Sequence, residues 1–261
     1  MWPANQPLER RDQLRPVRAK GESPGHEQAN HVSVNGNAVA SFLFIIAGVI
    51  IVTGAVLQVL FYNTNLDNYL LYLDNLFNVD EELNIPSFFS TILLLSAALL
   101  LMVIAFLQFK LKDKFRWHWL ILTFGFLFLA TDETITIHEH LNKPFKALLG
   151  KESSGLFTFA WVVPGMIIVA ALGLTFWKFL FKLPEKTKNA FILAGAFYIG
   201  GAIGVEMLGA NYAEKHGLVN LNYAFFTIVE ETFEMVGIIL FIRALLIYMQ
   251  HRFKTISFDL R

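Results

Sequence analysis

The polar segment Ala130-Thr-Asp-Glu-Thr-Ile-Thr-Ile-His-Glu-His-Leu141 directly follows an almost purely apolar run, Trp117–Leu129. Together the two make a stretch long enough to cross the roughly 30 Å hydrocarbon layer of a bilayer as a helix, at about 1.5 Å per residue. Two carboxylates and a His-Glu-His triplet therefore lie where the chain is still in the membrane or just leaving it. This combination predicts a membrane helix that carries a functional site at one end.

The composition of the whole chain also indicates a membrane protein. Of its 261 residues, 55% are hydrophobic and only 16% are charged, whereas about a quarter of the residues in a soluble domain are charged. A formal net charge of zero gives a nucleic-acid partner no electrostatic support. The absence of cysteine excludes disulfides, thiol catalysis and thiolate metal sites.

Six apolar segments are long enough to span a bilayer, and they predict an all-α fold, a polytopic bundle of six transmembrane helices. Their predicted bounds are Val39–Tyr62, Ser87–Phe109, Trp117–Leu141, Phe157–Phe181, Asn189–Ala213 and Leu221–Met249. Pro164 predicts a kink in the fourth span.

Three segments lie outside the predicted spans. Residues 1–38 are rich in Arg, Pro, Gly and Asn and are predicted to be a disordered tail, and residues 250–261 form a second short tail. The connection between the first two spans, residues 63–86, has apolar residues at helical spacing. It predicts an amphipathic helix on the membrane surface, either a plain connector or a lid over the acidic site.

Lysine and arginine assign an orientation to the spans. Of the 21 cationic side chains, 17 fall on one side: in the two tails, in the connections after the second and fourth spans, and, for Lys178 and Arg243, near the ends of the fourth and sixth spans on that side. By the positive-inside rule, both termini are expected in the cytoplasm, and a bacterial cell (inner) membrane is the expected location. The same assignment puts the polar parts of the third, fifth and sixth spans at similar depth on the non-cytoplasmic side.

Six carboxylates of those three spans are expected at this depth. They are Asp132, Glu133, Glu206, Glu230, Glu231 and Glu234. A carboxylate at the centre of a membrane helix costs roughly 2.5–3.5 kcal/mol, so the six together could cost on the order of 10 kcal/mol. Because no lysine or arginine is expected at that depth, the acids must be protonated, share protons in pairs, or bind cations.

A helical wheel gives the expected facing of these groups. At 100° per residue, Asp132, Thr136 and Glu139 share one face of the third span, His140 flanks it, and His138 is turned away. On the fifth span the acid shares a face with several glycines and alanines, which predicts a tight contact with a neighbouring helix.

Three motifs resemble a family of uncharacterised bacterial multi-pass membrane proteins. They are Asp132-Glu133 followed by His138-Glu139, Gly204-Val-Glu206-Met-Leu-Gly-Ala, and Glu230-Glu231-Thr-Phe-Glu234-Met-Val-Gly. The likeness covers roughly Trp117 to Met249. That family has no established activity, so the resemblance implies no reaction. It does imply that His138 and Glu139 matter more than His140, which conflicts with the helical wheel.

The acids and the histidine predict a divalent-metal site. Carboxylate and imidazole ligands from facing helices hold di-iron and di-manganese centres in helical bundles, and carboxylate-rich sets favour hard or borderline ions such as Mg, Mn, Fe or Zn. The candidate ligands are Asp132, Glu133, His138, Glu139, Glu206, Glu230 and Glu234. The catalytic residues are left unassigned.

Three functions stay open at this point. The first is a membrane-embedded, metal-dependent enzyme that acts on a lipid or a small amphiphile, with a spare carboxylate as general base toward a metal-bound water. The second is a proton- or cation-coupled transporter, or a component of one, because acids inside membranes often mark ion paths. The third is a non-catalytic assembly protein whose protonated acids join helices. The lipid bilayer is the partner common to all three.

Overall fold

A computed structural model describes residues 35–64, 67–150 and 154–253, and within these ranges all regular structure is helical. The α-helices are α1 (Gly36–Asn63), α2 (Asn68–Phe77), α3 (Ile85–Lys110), α4 (Arg116–Ile135), α5 (Ile137–Leu149), α6 (Val162–Leu180), α7 (Glu185–Ile199), α8 (Glu206–His216) and α9 (Leu221–Arg252). A 3₁₀ turn, Gly155–Phe157, precedes α6, and a π-helical segment, Gly200–Val205, joins α7 to α8. Most of both predicted tails, residues 1–34 and 254–261, lies outside the described residues.

Five of these helical stretches are long and apolar enough to cross a membrane, and six if the bent pair α4–α5 counts as one span. The five are α1, α3, α6, α9 and the continuous stretch from α7 through α8. The prediction of an all-α protein with several membrane-spanning helices is therefore confirmed. The connection between the first two spans contains the ten-residue helix α2, followed by a loop, residues 78–84.

Two corrections concern individual spans. The third predicted span is not one straight helix, because α4 ends at Ile135 and the axis turns by 84° before α5. Thr136, at the break, has a left-handed backbone conformation with φ of 50°. The predicted kink at Pro164 is wrong, since α6 begins at Val162 and the proline lies in the first turn. A proline there sacrifices no internal hydrogen bond of the helix.

The apolar core fills the bundle where α3, α4 and α9 pack together. Leu101, Ile104 and Leu245 are fully buried there, and the Trp119 ring stacks on Tyr248 with ring centroids 5.0 Å apart. Lys110 ends α3, Arg116 begins α4 and Arg252 ends α9. We call the end of the bundle that carries these three residues the basic end. The opposite end, which carries Asp132 on α4 and Glu230 on α9, is called the acidic end.

Helices α7 and α9 approach each other so closely that their backbones touch. A Cβ atom placed on Gly237 of α9 would lie 2.6 Å from the Tyr198 amide nitrogen, and one placed on Gly201 would lie 2.8 Å from the carbonyl oxygen of Glu230. Real Cβ atoms do not approach other atoms this closely, so only glycine fits at either position. Small residues at helix contacts are the usual means of close packing in membranes, where lipid offers no hydrophobic driving force.

The loop after α2 is fixed by the capping residue of α3. The Asn84 side chain accepts from the Ser87 amide while the Ser87 hydroxyl accepts from the Asn84 amide, which makes a capping box. The Asn84 side-chain amide also donates to the carbonyl oxygens of Asn75 and Asn78. The loop that joins α2 to α3 is therefore held at both of its ends.

Candidate functional site

The break between α4 and α5 places His138 in contact with the Asp132 carboxylate. The His138 amide donates to Asp132 Oδ1 over 2.9 Å, and His138 Nδ1 lies 2.9 Å from Asp132 Oδ2. The Asp132 carboxylate thus satisfies an amide at the start of α5 that has no partner inside that helix. The helical wheel, which turned His138 away, is wrong because it assumed an unbroken helix through Thr136.

Trp161 connects this pair to a second acid. Its ring centroid lies 4.9 Å from that of His138, and its indole N–H donates to Glu206 Oε1 over 3.0 Å. The Trp161 backbone amide donates to Asn142 Oδ1 on α5 over 3.2 Å. One residue at the start of α6 therefore ties α5 to α8.

The π-helical segment ends directly before Glu206 and places its side chain inside the bundle. Glu206 is the first residue after that segment, and its carboxyl group interacts with the carboxyl group of Glu230 on α9. Two carboxyl groups can form a hydrogen bond only when one of them carries a proton. Single π turns inside α-helices occur frequently at functional sites, and here the turn lies beside the contact that Gly201 makes possible.

The remaining acids of α4 and α9 face the same volume. The Tyr198 hydroxyl on α7 interacts with the Glu234 carboxyl group. Glu133 interacts electrostatically with Glu234 and with Glu231, and both of these side chains are partly rather than fully shielded from solvent. We call this group the acidic cluster. Its members are Asp132, Glu133, His138, Glu206, Glu230, Glu231 and Glu234.

Glu139 of the predicted set and the neighbouring His140 have peripheral positions. The Glu139 side chain is exposed, although it interacts electrostatically with His138 and Glu206. His140 is exposed and its Nδ1 lies 2.7 Å from the carbonyl oxygen of Thr136. The two histidines therefore have different surroundings, since of the two only His138 contacts a carboxylate of the acidic cluster.

The loop between α2 and α3 adds two acids that the sequence reasoning missed. Burial and the neighbouring negative charges, Glu139 and Glu206 among them, raise the pKa of Asp80 to about 7, although its side chain keeps contact with solvent. Burial also raises the pKa of Glu82 to about 7, against a lowering effect of nearby His138. The available signal was the acidic run at positions 80–82 in a connector without lysine or arginine.

Helix α2 anchors that loop to the bundle. The buried Gln58 side-chain amide on α1 donates to Asp74 Oδ1 over 3.1 Å, and burial raises the pKa of Asp74. The Phe77 carbonyl oxygen occupies the place that a Cβ atom on Gly54 would need. The loop that carries Asp80 and Glu82 is consequently fixed relative to α1 and near the acidic cluster.

The arrangement gives limited support to a metal centre. Among the residues that the structure describes, no three histidine, aspartate or glutamate side chains are placed so that they could hold one metal ion. The geometry instead shows a hydrogen-bonded Asp132–His138 pair, in which the contact of Nδ1 with Asp132 leaves His138 Nε2 for a proton or a ligand.

The raised pKa values predict how stability depends on pH. Between about pH 4 and 7, the folded protein keeps protons on Asp80 and Glu82 that the unfolded chain has released, so stability falls as pH rises through this window. Glu82→Gln should therefore stabilise the protein at pH 8 and change little at pH 5. Allowing for screening by solvent, we expect a gain of about 1–2 kcal/mol at pH 8, or roughly 2–8 °C in Tm.

The measurement is thermal unfolding in detergent at pH 5, 6, 7 and 8. Glu81→Gln is the comparison variant, because Glu81 is exposed in the same loop and influences the pH dependence only through its charge, which helps to raise the pKa of Asp80. If the wild type and Glu82→Gln gave parallel curves of Tm against pH, Glu82 would not be protonated preferentially in the folded state.

The family model described as "Domain of unknown function (DUF8692)" matches residues 40–249, and the chain belongs to this family. The match includes every helix from the body of α1 to the last turn of α9, and with them the whole acidic cluster. No curated protein and no solved structure matches the chain.

Proposed function

We propose that this member of the DUF8692 family is a membrane-embedded enzyme that acts on a lipid or a small amphiphile at the acidic end of the bundle. The observation that carries the proposal is the Asp132–His138 pair. Its two contacts, both 2.9 Å long, form across a break in the helix at a non-glycine residue with φ of 50°. Backbone strain of this kind is concentrated at functional sites.

The paired groups have the chemistry of acid–base catalysis. With Nδ1 held by Asp132, His138 can accept a proton at Nε2 from a water molecule or a substrate hydroxyl, while the carboxylate stabilises the imidazolium that forms. A proton shared by Glu206 and Glu230 can pass to the oxygen of a leaving group. Trp161 contacts both His138, the proposed base, and Glu206, part of the proposed acid, so the two groups lie close enough to act on one substrate. Hydrolysis is the reaction class that this pairing suits best.

The packing at the other end favours an enzyme over a transporter. Leu101, Ile104 and Ile239 are fully buried between the acidic cluster and the basic end. A proton or ion path would need polar groups or water through that core. In our proposal the lysine and arginine distribution assigns the acidic end to the non-cytoplasmic side of the cell membrane, so the substrate enters from the outer leaflet or from outside.

A divalent ion (Mg, Mn, Fe or Zn) is still the cofactor proposed from the composition of the cluster. Several carboxylates surround one imidazole, so a cation would balance charge that shared protons leave uncompensated. Glu133 and Glu231, which interact with each other, are the side chains best placed to contribute. When bound, such an ion would supply electrostatic stabilisation of developing negative charge.

The test is protein-dependent lipid turnover. The purified chain in nanodiscs of total lipid extract from the expression host is incubated, and released headgroups, fatty acids and lysolipids are followed by mass spectrometry. Empty nanodiscs and heat-unfolded protein are the controls. We expect at least one product to rise linearly with time and protein concentration.

Separate incubations contain EDTA alone or EDTA followed by excess Mg, Mn, Fe or Zn. Loss of product with EDTA and recovery with one ion would establish the metal-dependent form of the proposal. Product formation untouched by EDTA would establish the metal-free form. The absence of any protein-dependent product in every metal condition would overturn the proposal itself.

A further inference from the structure

Two short segments at the basic end of the bundle are rich in positive charge. Residues 110–116 run from the end of α3 to the start of α4, and residues 178–188 run from the last turn of α6 into the first turn of α7. Each segment contains four lysine or arginine residues and a single acid. Both segments therefore have a clear excess of positive charge.

The two segments lie side by side. The Phe115 ring packs against Phe179 at the end of α6, with ring centroids 5.8 Å apart, and Leu183 of the second segment packs against the same apolar core as Phe115. We define the basic surface by six cationic side chains of these segments, all of which have contact with solvent. They are Lys110, Lys112, Lys114, Arg116, Lys182 and Lys186.

Hydrogen bonds fix the backbone of the first segment. Helix α3 ends in a tight turn in which Lys112 has a left-handed conformation with φ of 51°, and the Asp113 amide donates to the Gln108 carbonyl oxygen over 3.0 Å. The Asp113 carboxylate accepts from the Phe115 amide over 2.7 Å. Only lysine side chains would have to become ordered when an anion binds, so the entropic cost of binding is reduced.

The charges of this surface are not neutralised by acids of the bundle. Among the described residues no ion pair involves a lysine or an arginine. The nearest partners of two cations are aromatic rings instead. Lys110 Nζ lies 4.6 Å from the centre of the Phe106 ring, and the Arg116 guanidinium lies 5.5 Å from that of Phe109. A cation beside an aromatic ring keeps its full charge, so the surface can still attract an anion.

We infer that the basic surface binds the headgroups of anionic phospholipids in the leaflet that the basic end meets. The cations flank helices that are long and apolar enough to cross a bilayer, which places them at the depth of the headgroups. Trp117 and Trp177 lie next to them in the terminal turns of α4 and α6, and these side chains are 56% and 57% exposed. Exposed tryptophans in this position are typical of the boundary between headgroups and hydrocarbon.

The exposed rings favour a lipid over a soluble polyanion. A nucleic acid or an acidic protein in the aqueous phase would reach the charged turns and leave Trp117, Trp177 and Phe181 uncovered. An anionic phospholipid places its phosphate on the lysines and covers the rings with its glycerol group and acyl chains. The inference concerns the end of the bundle opposite to the acidic cluster, so it does not rest on the proposed function.

The test measures the binding of single lipids to the full chain in a non-ionic detergent by native mass spectrometry. The protein is titrated separately with dioleoylphosphatidylglycerol and dioleoylphosphatidylcholine, which have the same acyl chains and differ in net charge. One lysine near an anionic headgroup contributes roughly fivefold to binding, so two lysines should give a preference of about 25-fold for phosphatidylglycerol. The double variant Lys112→Gln, Lys114→Gln should lose most of this preference and bind phosphatidylcholine as the wild type does.

The double variant Lys143→Gln, Lys146→Gln is the matched control. Both of these lysines are exposed on α5 at the acidic end, so the variant has the same change of net charge. Its preference for phosphatidylglycerol should equal that of the wild type. Lys182→Gln combined with Lys186→Gln alters the second segment of the basic surface and should also weaken the binding of phosphatidylglycerol. The Tm of each variant in detergent checks that it is folded.

Three results would overturn the inference. The first is equal affinity of the wild type for the two lipids. The second is a loss of phosphatidylglycerol binding in the control variant as large as that in the two variants of the basic surface. The third is tighter binding of soluble heparin or glycerol 3-phosphate than of phosphatidylglycerol, which would assign the surface to a soluble anion.

Discussion

Replacing His138 with alanine should lower lipid turnover by about 10²–10⁴-fold, the range expected when a general base is removed. The reason is the contact between His138 Nδ1 and Asp132 Oδ2, which fixes the tautomer and leaves Nε2 as the atom that accepts the proton. Asp132→Asn should lose most of the same activity, because an amide can neither hold the imidazole in that tautomer nor stabilise the imidazolium.

His140→Ala provides the control for this prediction. His140 lies two residues further along α5, but it is exposed and its Nδ1 contacts the Thr136 carbonyl oxygen. We expect turnover by His140→Ala to stay close to that of the wild type. The initial rate of product release in nanodiscs is the measurement, with Tm recorded for each variant. Equal losses in the two histidine variants would show that the helix break matters for folding and not for chemistry.

The spans and most of the acidic cluster could be predicted from the sequence because bilayer thickness imposes simple rules. A long apolar run has to be a helix, and an acid within it has to find a partner among other helices. The structure does bring Asp132, Glu206, Glu230 and Glu234 to one end of the bundle. These rules do not depend on how individual helices bend, so they predict the number of spans and the end of the bundle at which the acids lie.

The helix break could not be predicted, because no local residue signals it. Neither glycine nor proline occurs between Ala130 and Leu141, and a β-branched residue such as Thr136 rarely adopts a positive φ. The conformation is stabilised by the Asp132 carboxylate, which accepts from the His138 amide at the start of α5 only after the chain has turned. The resemblance to the uncharacterised family gave the better indication, since it favoured His138 over His140.

The loop acids and the π-helical segment show two other limits of sequence reasoning. Asp80 and Glu82 follow a short helix and have no periodicity that assigns them a face, so only their tertiary position reveals their link to the cluster. The segment before Glu206 carries three glycines, which signal close approach but not a wider helical turn. Both features change which groups meet without changing the number of spans.

A second large effect is expected at Gly237, where the fold and the acidic cluster depend on the same contact. Gly237→Ala should destabilise the protein by about 2–4 kcal/mol, because the added methyl group would overlap backbone atoms that cannot rotate away. Those atoms are the Tyr198 amide nitrogen, 2.6 Å from where the methyl carbon would lie, and the Ala194 carbonyl oxygen, 2.9 Å from the same point. Helices α7 and α9 would have to separate.

Thermal unfolding in detergent measures this cost, and about 2–4 °C of Tm is expected for each kcal/mol. Gly125→Ala is the control, since it introduces the same methyl group into α4 where nothing lies within 4 Å. In an open helical position alanine is favoured over glycine by roughly 0.5–1 kcal/mol, so this variant should be neutral or slightly more stable. A similar Tm for both variants would contradict the close contact of α7 and α9.

Tyr198→Phe separates the two consequences of the contact. The Tyr198 hydroxyl interacts with Glu234, so removing that hydroxyl should cost at most about 0.5–1.5 kcal/mol, the worth of one hydrogen bond. If Gly237→Ala acted through that interaction alone, it would cost no more than Tyr198→Phe and the double variant would add nothing further. If instead it moves the helix backbones apart, its cost exceeds that of Tyr198→Phe and remains in the Tyr198→Phe background. Gly201 lies against the Glu230 carbonyl oxygen in the same helix contact, so such a separation would also weaken the interaction between Glu206 and Glu230. A glycine outside the acidic cluster would then control whether the cluster forms.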